Sequence, residues 1–217
     1  MAEPTSAPIR AVIFDFDGTL SNSGDWFLTV VDHLADKFNF RRVSDNEVEQ
    51  LRHRPTREVI DYLGIPRWKL PLIARYTRKL VSRHTHEIEL FPGIDRLLER
   101  VAATGVRMAL VTSNAEANAR AILGPENAAR FEIFAAGSSL FGKAPKFRRV
   151  LKAMRLTAAE TLSVGDETRD IDAAREVGMR AGAVLWGYAA GDVLAALAPD
   201  VMFNTQDELL TYLAAHR

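Results

Sequence analysis

Residues 11 to 19 read Ala-Val-Ile-Phe-Asp-Phe-Asp-Gly-Thr, an apolar run followed at once by two aspartates. The run from Ile9 to Phe14 is short and rich in apolar residues, which predicts a buried strand. Because side chains alternate along an extended chain, Asp15 and Asp17 would project from the same face and repel each other. Burying two such charges is costly unless a cation or a shared proton compensates them. A hard divalent ion such as Mg²⁺, which prefers oxygen ligands, is the expected compensation.

Gly18 and Thr19 complete this stretch and are candidate ligand-binding residues. Glycine lets the backbone turn tightly and come close to a ligand, and Thr19 adds a hydroxyl group. The alternative is a solvated turn after a strand, since aspartate and glycine are ordinary turn residues.

Composition narrows the class of protein. The chain has 217 residues, 47% of them apolar, which is enough for a substantial core. Basic and acidic residues both number 28, so no global charge draws the chain to nucleic acid or to an anionic membrane. The absence of cysteine excludes disulfides and thiolate chemistry. We find no leader pattern and no membrane-spanning segment, and we expect a cytoplasmic protein with a short frayed start.

The long stretch after Thr19 carries helical patterns. Apolar residues recur there at three- and four-residue spacing, and Ser44 with Glu47 forms a capping-box pattern. Four helices are expected, near residues 26–38, 44–51, 56–63 and 69–84. The large apolar side chains of these helices are expected to be buried, among them Trp26, Trp68, Leu72 and Tyr76. We interpret residues 21–87 as a small helical domain inserted into an α/β domain made of residues 1–20 and 88–217.

From Phe91-Pro92-Gly93 onward, helical and strand patterns alternate. Strands are expected at residues 108–112, 133–136, 161–164, 181–186 and 200–203. Helices are expected at residues 94–103, 115–123, 146–154, 170–177 and 206–215. Such alternation is typical of an α/β fold, a Rossmann-like doubly wound parallel sheet with helices on both faces. Ligands bind beyond the carboxyl ends of the strands in such folds.

Polar residues stand where these strands end. They are Asp15 and Asp17 after the first strand, Thr112, Ser113 and Asn114 after the second, Lys143 in a polar loop after the third, and Asp166 with Asp170 after the fourth. Because the carboxyl ends of parallel strands share one edge, we expect these side chains to converge on one crevice.

This series resembles the motifs of the haloacid dehalogenase-like hydrolase superfamily, in order and along most of the chain. Asp15 to Thr19 is similar to the first motif, Leu110 to Asn114 to the second, and Val164 to Asp170 to the fourth. The helical segment lies where the helical cap subclass carries its cap, and Phe91-Pro92-Gly93 resembles that subclass's return to the core. This subclass includes phosphoglycolate phosphatase-like enzymes and β-phosphoglucomutase.

The third motif of the superfamily supplies a lysine, and two lysines are candidates here. Lys143 follows Gly142 and precedes the expected helix, whereas Lys146 falls within the start of that helix. Many relatives have Lys-Pro at this motif, and the present sequence reads Gly-Lys-Ala-Pro-Lys. We favour Lys143 and keep Lys146 as the alternative.

The resemblance implies a role for each candidate. Asp15 would be the nucleophile, and Asp17 would protonate the leaving group and later activate water. Mg²⁺ would be held by Asp15, the backbone carbonyl of Asp17 and Asp166, with Asp170 near the metal or fixing Lys143. The remaining phosphate-binding candidates are Gly18, Thr19, Thr112, Ser113 and Asn114. Thr112 could instead cap the next helix, and Asp170 could simply occupy a favourable first turn.

The expected activity is that of a Mg²⁺-dependent phosphatase acting on a small phosphorylated metabolite, similar to phosphoglycolate, through an aspartyl phosphate. Asp17 favours phosphoryl chemistry over dehalogenation, since a departing halide needs no proton. A β-phosphoglucomutase-like phosphomutase and a non-catalytic binding module remain alternatives. The cap would set specificity, and Arg54 and Arg57 in its basic loop are candidate substrate ligands or a solvated surface. A monomer and a homodimer are equally compatible with the sequence.

Overall fold

The computed structural model describes residues 7–137 and 142–217, and within them six strands form one parallel sheet. The strands are β1 (Ala11–Phe14), β2 (Arg107–Val111), β3 (Ile133–Ala135), β4 (Thr161–Gly165), β5 (Arg180–Val184) and β6 (Val201–Phe203). Their order across the sheet is β3-β2-β1-β4-β5-β6, with every neighbouring pair parallel. The predicted α/β fold with a parallel sheet is confirmed.

Strand β1 lies in the interior of the sheet, and both of its edges and both of its faces are covered. It pairs with β2 on one side and β4 on the other, and all four of its residues are fully buried. Val12 and Phe14 belong to one apolar cluster, and Ala11 and Ile13 belong to the cluster on the opposite face. This alternation is what period-two side chains produce in a strand covered on both sides.

Helices flank the sheet on both faces. The first cluster contains side chains of α5 (Ile94–Ala103), α6 (Glu116–Ala129) and α10 (Gln206–Ala215). The opposite cluster contains side chains of α7 (Ala144–Met154), α8 (Thr168–Val177) and the short α9 (Gly191–Ala195). The alternating strand and helix pattern therefore produces the doubly wound arrangement that it predicts. Within the described part of the chain, no helix combines the length and apolar character needed to cross a membrane.

The segment between β1 and α5 holds four α-helices. They are α1 (Ser23–Phe38), α2 (Asp45–Arg52), α3 (Thr56–Tyr62) and α4 (Leu70–Val81). The Ser44 backbone N–H donates to a Glu47 carboxylate oxygen at 3.0 Å, as the capping-box pattern predicts. The division into two domains at residues 20/21 and 87/88 remains a prediction.

The chain leaves for this helical segment and returns from it at adjacent positions. Asn22 donates its backbone N–H to the carbonyl of Glu89 at 2.9 Å, and Phe91 donates to the carbonyl of Leu20 at 2.9 Å. Two connections paired in this way form a short antiparallel ribbon. The ribbon brings the first turn of α1 close to the end of β1.

The predicted burial of two helical-segment side chains is wrong. Trp26 is 6% exposed, as expected, but Trp68 is 69% exposed and Leu72 is 50% exposed. Helical spacing identifies which residues share a face. It does not identify whether another element covers that face, and within the described residues none covers Trp68 and Leu72.

Two further predictions fall outside the described residues. The expected frayed start lies mostly at residues 1–6, and the polar loop expected before Lys143 lies mostly at residues 138–141.

Candidate active site

The carboxyl ends of three adjacent strands bring the candidate residues together. Asp15 directly follows β1, Thr112 directly follows β2 and Asp166 directly follows β4. Lys143 immediately precedes α7, and Asp170 lies in the first turn of α8. The strand-end rule therefore gathers side chains that are far apart in the sequence.

Three carboxylates form a buried acidic cluster, which consists of Asp15, Asp166 and Asp170. One oxygen of each lies within 4.8 Å of the oxygens of the other two. The residues are only 5%, 0% and 3% exposed. Like charges held this close in a buried site repel one another and require compensation by a cation or by protons.

Lys143 supplies part of that compensation. Its Nζ lies 2.6 Å from Asp15 Oδ2 and also contacts Asp170 Oδ1. Burial alone would lower the pKa of Lys143, but the charges of Asp15 and Asp170 outweigh it and hold the pKa above its usual value. Lys143 is therefore a cation in direct contact with two of the three acids.

Asp15 remains incompletely compensated. Its burial raises its pKa to about 7, although the charge of Lys143 opposes the increase. Asp15 Oδ2 is buried and lies 2.6 Å from Lys143 Nζ, a cation that Asp15 shares with Asp170. One ammonium group carries a single positive charge, fewer than the charges of the three carboxylates, so a further cation or a proton is needed.

Asp166 is held by hydrogen bonds from two sides. Thr19 Oγ1 donates to its Oδ1 and the backbone N–H of Tyr188 donates to its Oδ2, both at 2.9 Å. Gly18 permits this packing, because a Cβ atom there would lie 2.2 Å from Asp166 Oδ2. Burial and then the neighbouring charge of Glu167 raise the pKa of Asp166 well above its usual value.

Asp17 faces a different set of partners. Ser23 Oγ donates to Asp17 Oδ1 at 2.8 Å, and Asn114 Nδ2 donates to the same oxygen at 3.2 Å. Burial raises the pKa of Asp17, and these two hydrogen bonds oppose the increase. The Asp17 carboxylate is not part of the acidic cluster, so only its backbone carbonyl remains a predicted metal ligand.

The residues after β2 take part in the same network. Thr112 Oγ1 lies 3.4 Å from Asp17 Oδ2 and accepts the backbone N–H of Asn114 at 2.9 Å. The following helix α6 begins at Glu116 with Ala115 at its N-cap, so the alternative that Thr112 caps this helix is wrong. Ser113 is exposed at the same loop.

Asp170 serves two structural purposes at once. Its Oδ2 accepts the backbone N–H of Glu167 at 3.1 Å, an N-terminal capping contact of α8. Its Oδ1 contacts Lys143. The two explanations considered for Asp170 from the sequence are therefore both compatible with the structure.

Lys146 lies in the same region but makes different contacts. Its Nζ donates to the carbonyl of Thr112 at 2.5 Å and to the carbonyl of Gly137. Burial lowers its pKa to about 8, and the charge of Lys143 adds to this decrease. The structure therefore places Lys143, and not Lys146, beside Asp15.

The basic segment from Arg52 to Arg57, which joins the end of α2 to the start of α3, contacts the loops after β4 and β5 through side chains other than those expected. Arg52 Nε donates to the carbonyl of Tyr188 at 3.0 Å, and Thr56 Oγ1 donates to Glu167 at 2.5 Å. Arg54 is exposed and lies 4.9 Å above the ring of Tyr62, and Arg57 is exposed. The structure does not bring Arg54 or Arg57 to the acidic cluster.

Sequence reasoning missed Ser23 and Tyr188. Tyr188 lies in the loop after β5, which ends at Val184, so the strand-end rule would have indicated this loop but not the particular residue. Ser23 had no such signal, because it begins a helix. Its place beside Asp17 depends on the paired connections at Asn22 and Phe91.

The acidic cluster fits a divalent cation. Its donors are carboxylate oxygens, which hard ions such as Mg²⁺ prefer. Lys143 supplies one positive charge to the cluster, and burial raises the pKa of both Asp15 and Asp166. A cation bound among the three oxygens would compensate the charges that Lys143 leaves.

A parallel α/β sheet with a lysine and three acids at its carboxyl edge is typical of enzymes that bind their ligands beyond the ends of the strands. The family model described as haloacid dehalogenase-like hydrolase matches residues 12–184. The chain belongs to the haloacid dehalogenase-like hydrolase family, and the resemblance found in its motifs is confirmed.

Two curated proteins resemble most of the chain. Phosphoglycolate phosphatase of Synechococcus elongatus is 29% identical over 203 residues, which cover 93% of this chain and 96% of that protein. Tyrosine-protein kinase PtkA of Mycobacterium tuberculosis is 29% identical over 216 residues, which cover 96% of this chain and 73% of that protein.

Solved structures resemble the fold. A predicted phosphatase from Clostridium acetobutylicum superposes with a TM-score of 0.81 at 20% identity, covering 97% of this chain and all of the other. At this identity the likeness demonstrates the shared fold alone.

Proposed function

We propose that this chain, a phosphatase of the haloacid dehalogenase-like hydrolase family, hydrolyses a small phosphorylated metabolite similar to phosphoglycolate. The reaction depends on Mg²⁺ and passes through an aspartyl phosphate on Asp15. The observation that carries the proposal is the buried acidic cluster with Lys143 at the ends of β1 and β4. The phosphatase name of the Synechococcus relative, which matches along nearly its whole length, supports the same reaction class.

The first half-reaction transfers the phosphoryl group to Asp15. A carboxylate oxygen of Asp15 forms a bond to phosphorus while the bond from phosphorus to the ester oxygen breaks. Asp17 gives its proton to that ester oxygen, so the product leaves as a neutral alcohol. Lys143 lies beside Asp15 and lowers the repulsion between the carboxylate and the incoming phosphate dianion.

The second half-reaction returns the enzyme to its starting state. Asp17, now ionised, takes a proton from water, and the water oxygen attacks phosphorus. The bond between phosphorus and the Asp15 oxygen breaks, which releases inorganic phosphate and restores the carboxylate. Thr112 and Asn114, next to Asp17, hold the phosphoryl group in line for both attacks.

Asp15, Asp166 and Asp170 would hold the metal ion, with the backbone carbonyl of Asp17 as a further ligand. A bound Mg²⁺ supplies positive charge that stabilises the phosphoryl oxygens in the transition state.

Metal dependence provides the test of the proposed function. We expect phosphate release from at least one member of a panel containing phosphoglycolate, hexose phosphates and an aryl phosphate. EDTA should reduce that release to background, and added Mg²⁺ should restore it, because the three acids cannot accept the substrate dianion without a cation.

The panel also separates the alternatives. Release of no phosphate from any member, with Mg²⁺ present, would contradict the proposal and favour a binding module. Isomerised hexose phosphate without net phosphate release would identify a phosphomutase. Phosphate appearing on a protein tyrosine, the activity in the name of the PtkA relative, would likewise contradict transfer to water.

A further inference from the structure

Tyr188 is connected to Asp17 through one intervening hydroxyl group. It lies in the loop after β5, and its hydroxyl oxygen is 2.7 Å from Ser23 Oγ. Ser23 Oγ in turn lies 2.8 Å from Asp17 Oδ1. Ser23 is buried, and burial raises the pKa of the Tyr188 hydroxyl, so that group remains protonated.

The direction of these hydrogen bonds follows from their chemistry. An unprotonated carboxylate oxygen only accepts, so the Ser23 hydroxyl donates to Asp17 Oδ1 and the Tyr188 hydroxyl donates to Ser23. Asn114 Nδ2 also donates to Asp17 Oδ1, at 3.2 Å. Among the described residues, the hydrogen bonds of Asp17 Oδ2 are longer, at 3.4 Å, and come from Thr112 and Asn114. The proton that Asp17 transfers therefore belongs on Oδ2, the oxygen left available for substrate.

The backbone and ring of Tyr188 are fixed by contacts on three sides. Its backbone N–H donates to Asp166 at 2.9 Å, and its carbonyl accepts from Arg52 Nε at 3.0 Å. Its ring packs on Gly24, where a Cβ atom would lie 2.4 Å from the ring carbon Cε1. A residue held in this way can orient Ser23 without moving itself.

We propose that Tyr188 is the positioning residue for Asp17, which it orients through Ser23 so that Oδ2 faces the ester oxygen of the substrate. The inference rests on the proposed function and adds a residue that the reaction steps above do not use. Tyr188 exchanges no proton: Asp17 Oδ2 gives its proton to the ester oxygen, and Ser23 and Tyr188 keep theirs. The backbone of Tyr188 also holds Asp166, so Tyr188 contacts both the acidic cluster and, through Ser23, the general acid.

The way in which the rate depends on the leaving group distinguishes a positioning role of Tyr188 from a general structural role. An alkyl phosphate such as phosphoglycolate needs protonation of its leaving oxygen, whereas p-nitrophenolate leaves readily without a proton. The comparison uses kcat/KM, which covers only the steps through release of the alcohol and so excludes the later reaction of Asp17 with water. We expect Tyr188→Phe and Ser23→Ala each to lower kcat/KM for phosphoglycolate by about tenfold or more, within the range of general acid catalysis. For p-nitrophenyl phosphate the same variants should change kcat/KM by less than about threefold.

Two further variants complete the design. Gly24→Ala keeps every polar group but pushes on the Tyr188 ring, and it should show the same selectivity. Tyr212→Phe removes a hydroxyl group in the same way on α10, and it should leave kcat/KM unchanged for both substrates. Because each result is a ratio of rates for two substrates of one preparation, a lower yield of folded enzyme does not change it.

Asp17→Asn serves as the reference that separates the two proposals. A wild-type protein that releases no phosphate, or an Asp17→Asn variant whose kcat/KM falls equally for both substrates, would contradict the proposed function. If Asp17→Asn is selective for phosphoglycolate but Tyr188→Phe affects both substrates equally or neither, the positioning role of Tyr188 is overturned alone.

Discussion

Replacing Asp15 by Asn is expected to lower phosphate release from every active ester by at least about 1,000-fold. The amide cannot form the acyl phosphate, so the first half-reaction has no nucleophile. The substitution removes only one buried negative charge from the acidic cluster and changes the side-chain volume little. Folding should therefore be preserved, which a thermal melt of the variant would check.

Asp61→Asn is the matched control for this substitution. Asp61 is exposed on α3, so the same chemical change there should leave turnover within about twofold of wild type. Steady-state rates with phosphoglycolate and with p-nitrophenyl phosphate provide the comparison. Substantial activity in Asp15→Asn would remove the nucleophile assignment, whatever the control shows.

Gly18→Ala is expected to have the second large effect, because it forces the Asp166 carboxylate to move. A Cβ atom at residue 18 would lie 2.2 Å from Asp166 Oδ2, and Gly18 has a φ of +83°. Residues that orient metal ligands typically contribute 10- to 100-fold in metal affinity. We therefore expect about 10- to 100-fold more Mg²⁺ to be needed for half-maximal turnover.

Gly105→Ala separates the steric clash from the backbone strain. Gly105 has a similar φ of +78°, but no atom lies within 4 Å of the added Cβ. Both alanine variants should lose about 1 kcal/mol of unfolding free energy from the left-handed backbone. Only Gly18→Ala should show the weaker response to Mg²⁺. Equal Mg²⁺ requirements in the two variants would contradict the close packing of Gly18 against Asp166.

The sequence allowed the sheet and the acidic cluster to be predicted for the same physical reason. Periodicity identified β1, β2 and β4, and parallel strands necessarily place their carboxyl ends at one edge. The proximity of Asp15 and Asp166 therefore follows from the sequence pattern alone. The order of neighbours, with β1 between β2 and β4, was not needed for that conclusion.

Other features depend on how separate elements pack, which periodicity does not describe. The outward position of Trp68 and the stacking of Arg54 on Tyr62 follow from tertiary contacts of the helical segment. Asp15 and Asp17 were expected to project from the same face and repel each other, because an extended chain would align them. In the structure β1 ends at Phe14, and the two carboxylates find separate partners in Lys143 and Ser23.

For Lys143 and Lys146, the sequence predicted which lysine lies beside Asp15 but not which atoms the other lysine contacts. The sequence favoured Lys143 because it precedes a helix, and the structure does place its Nζ 2.6 Å from Asp15. The contacts of Lys146 with two backbone carbonyls had no signal in the sequence, since any buried lysine must find acceptors that only the folded chain defines.

Trapping the covalent intermediate tests the central claim most directly, because it reports on the nucleophile itself. The protein would be mixed with substrate and Mg²⁺, quenched in acid within milliseconds to seconds, digested and analysed by mass spectrometry. We predict one added phosphoryl group on the peptide that contains Asp15, absent when EDTA replaces Mg²⁺. A phosphoryl group on any other residue during rapid turnover, or none on the Asp15 peptide under conditions that trap known aspartyl phosphates, would contradict the account.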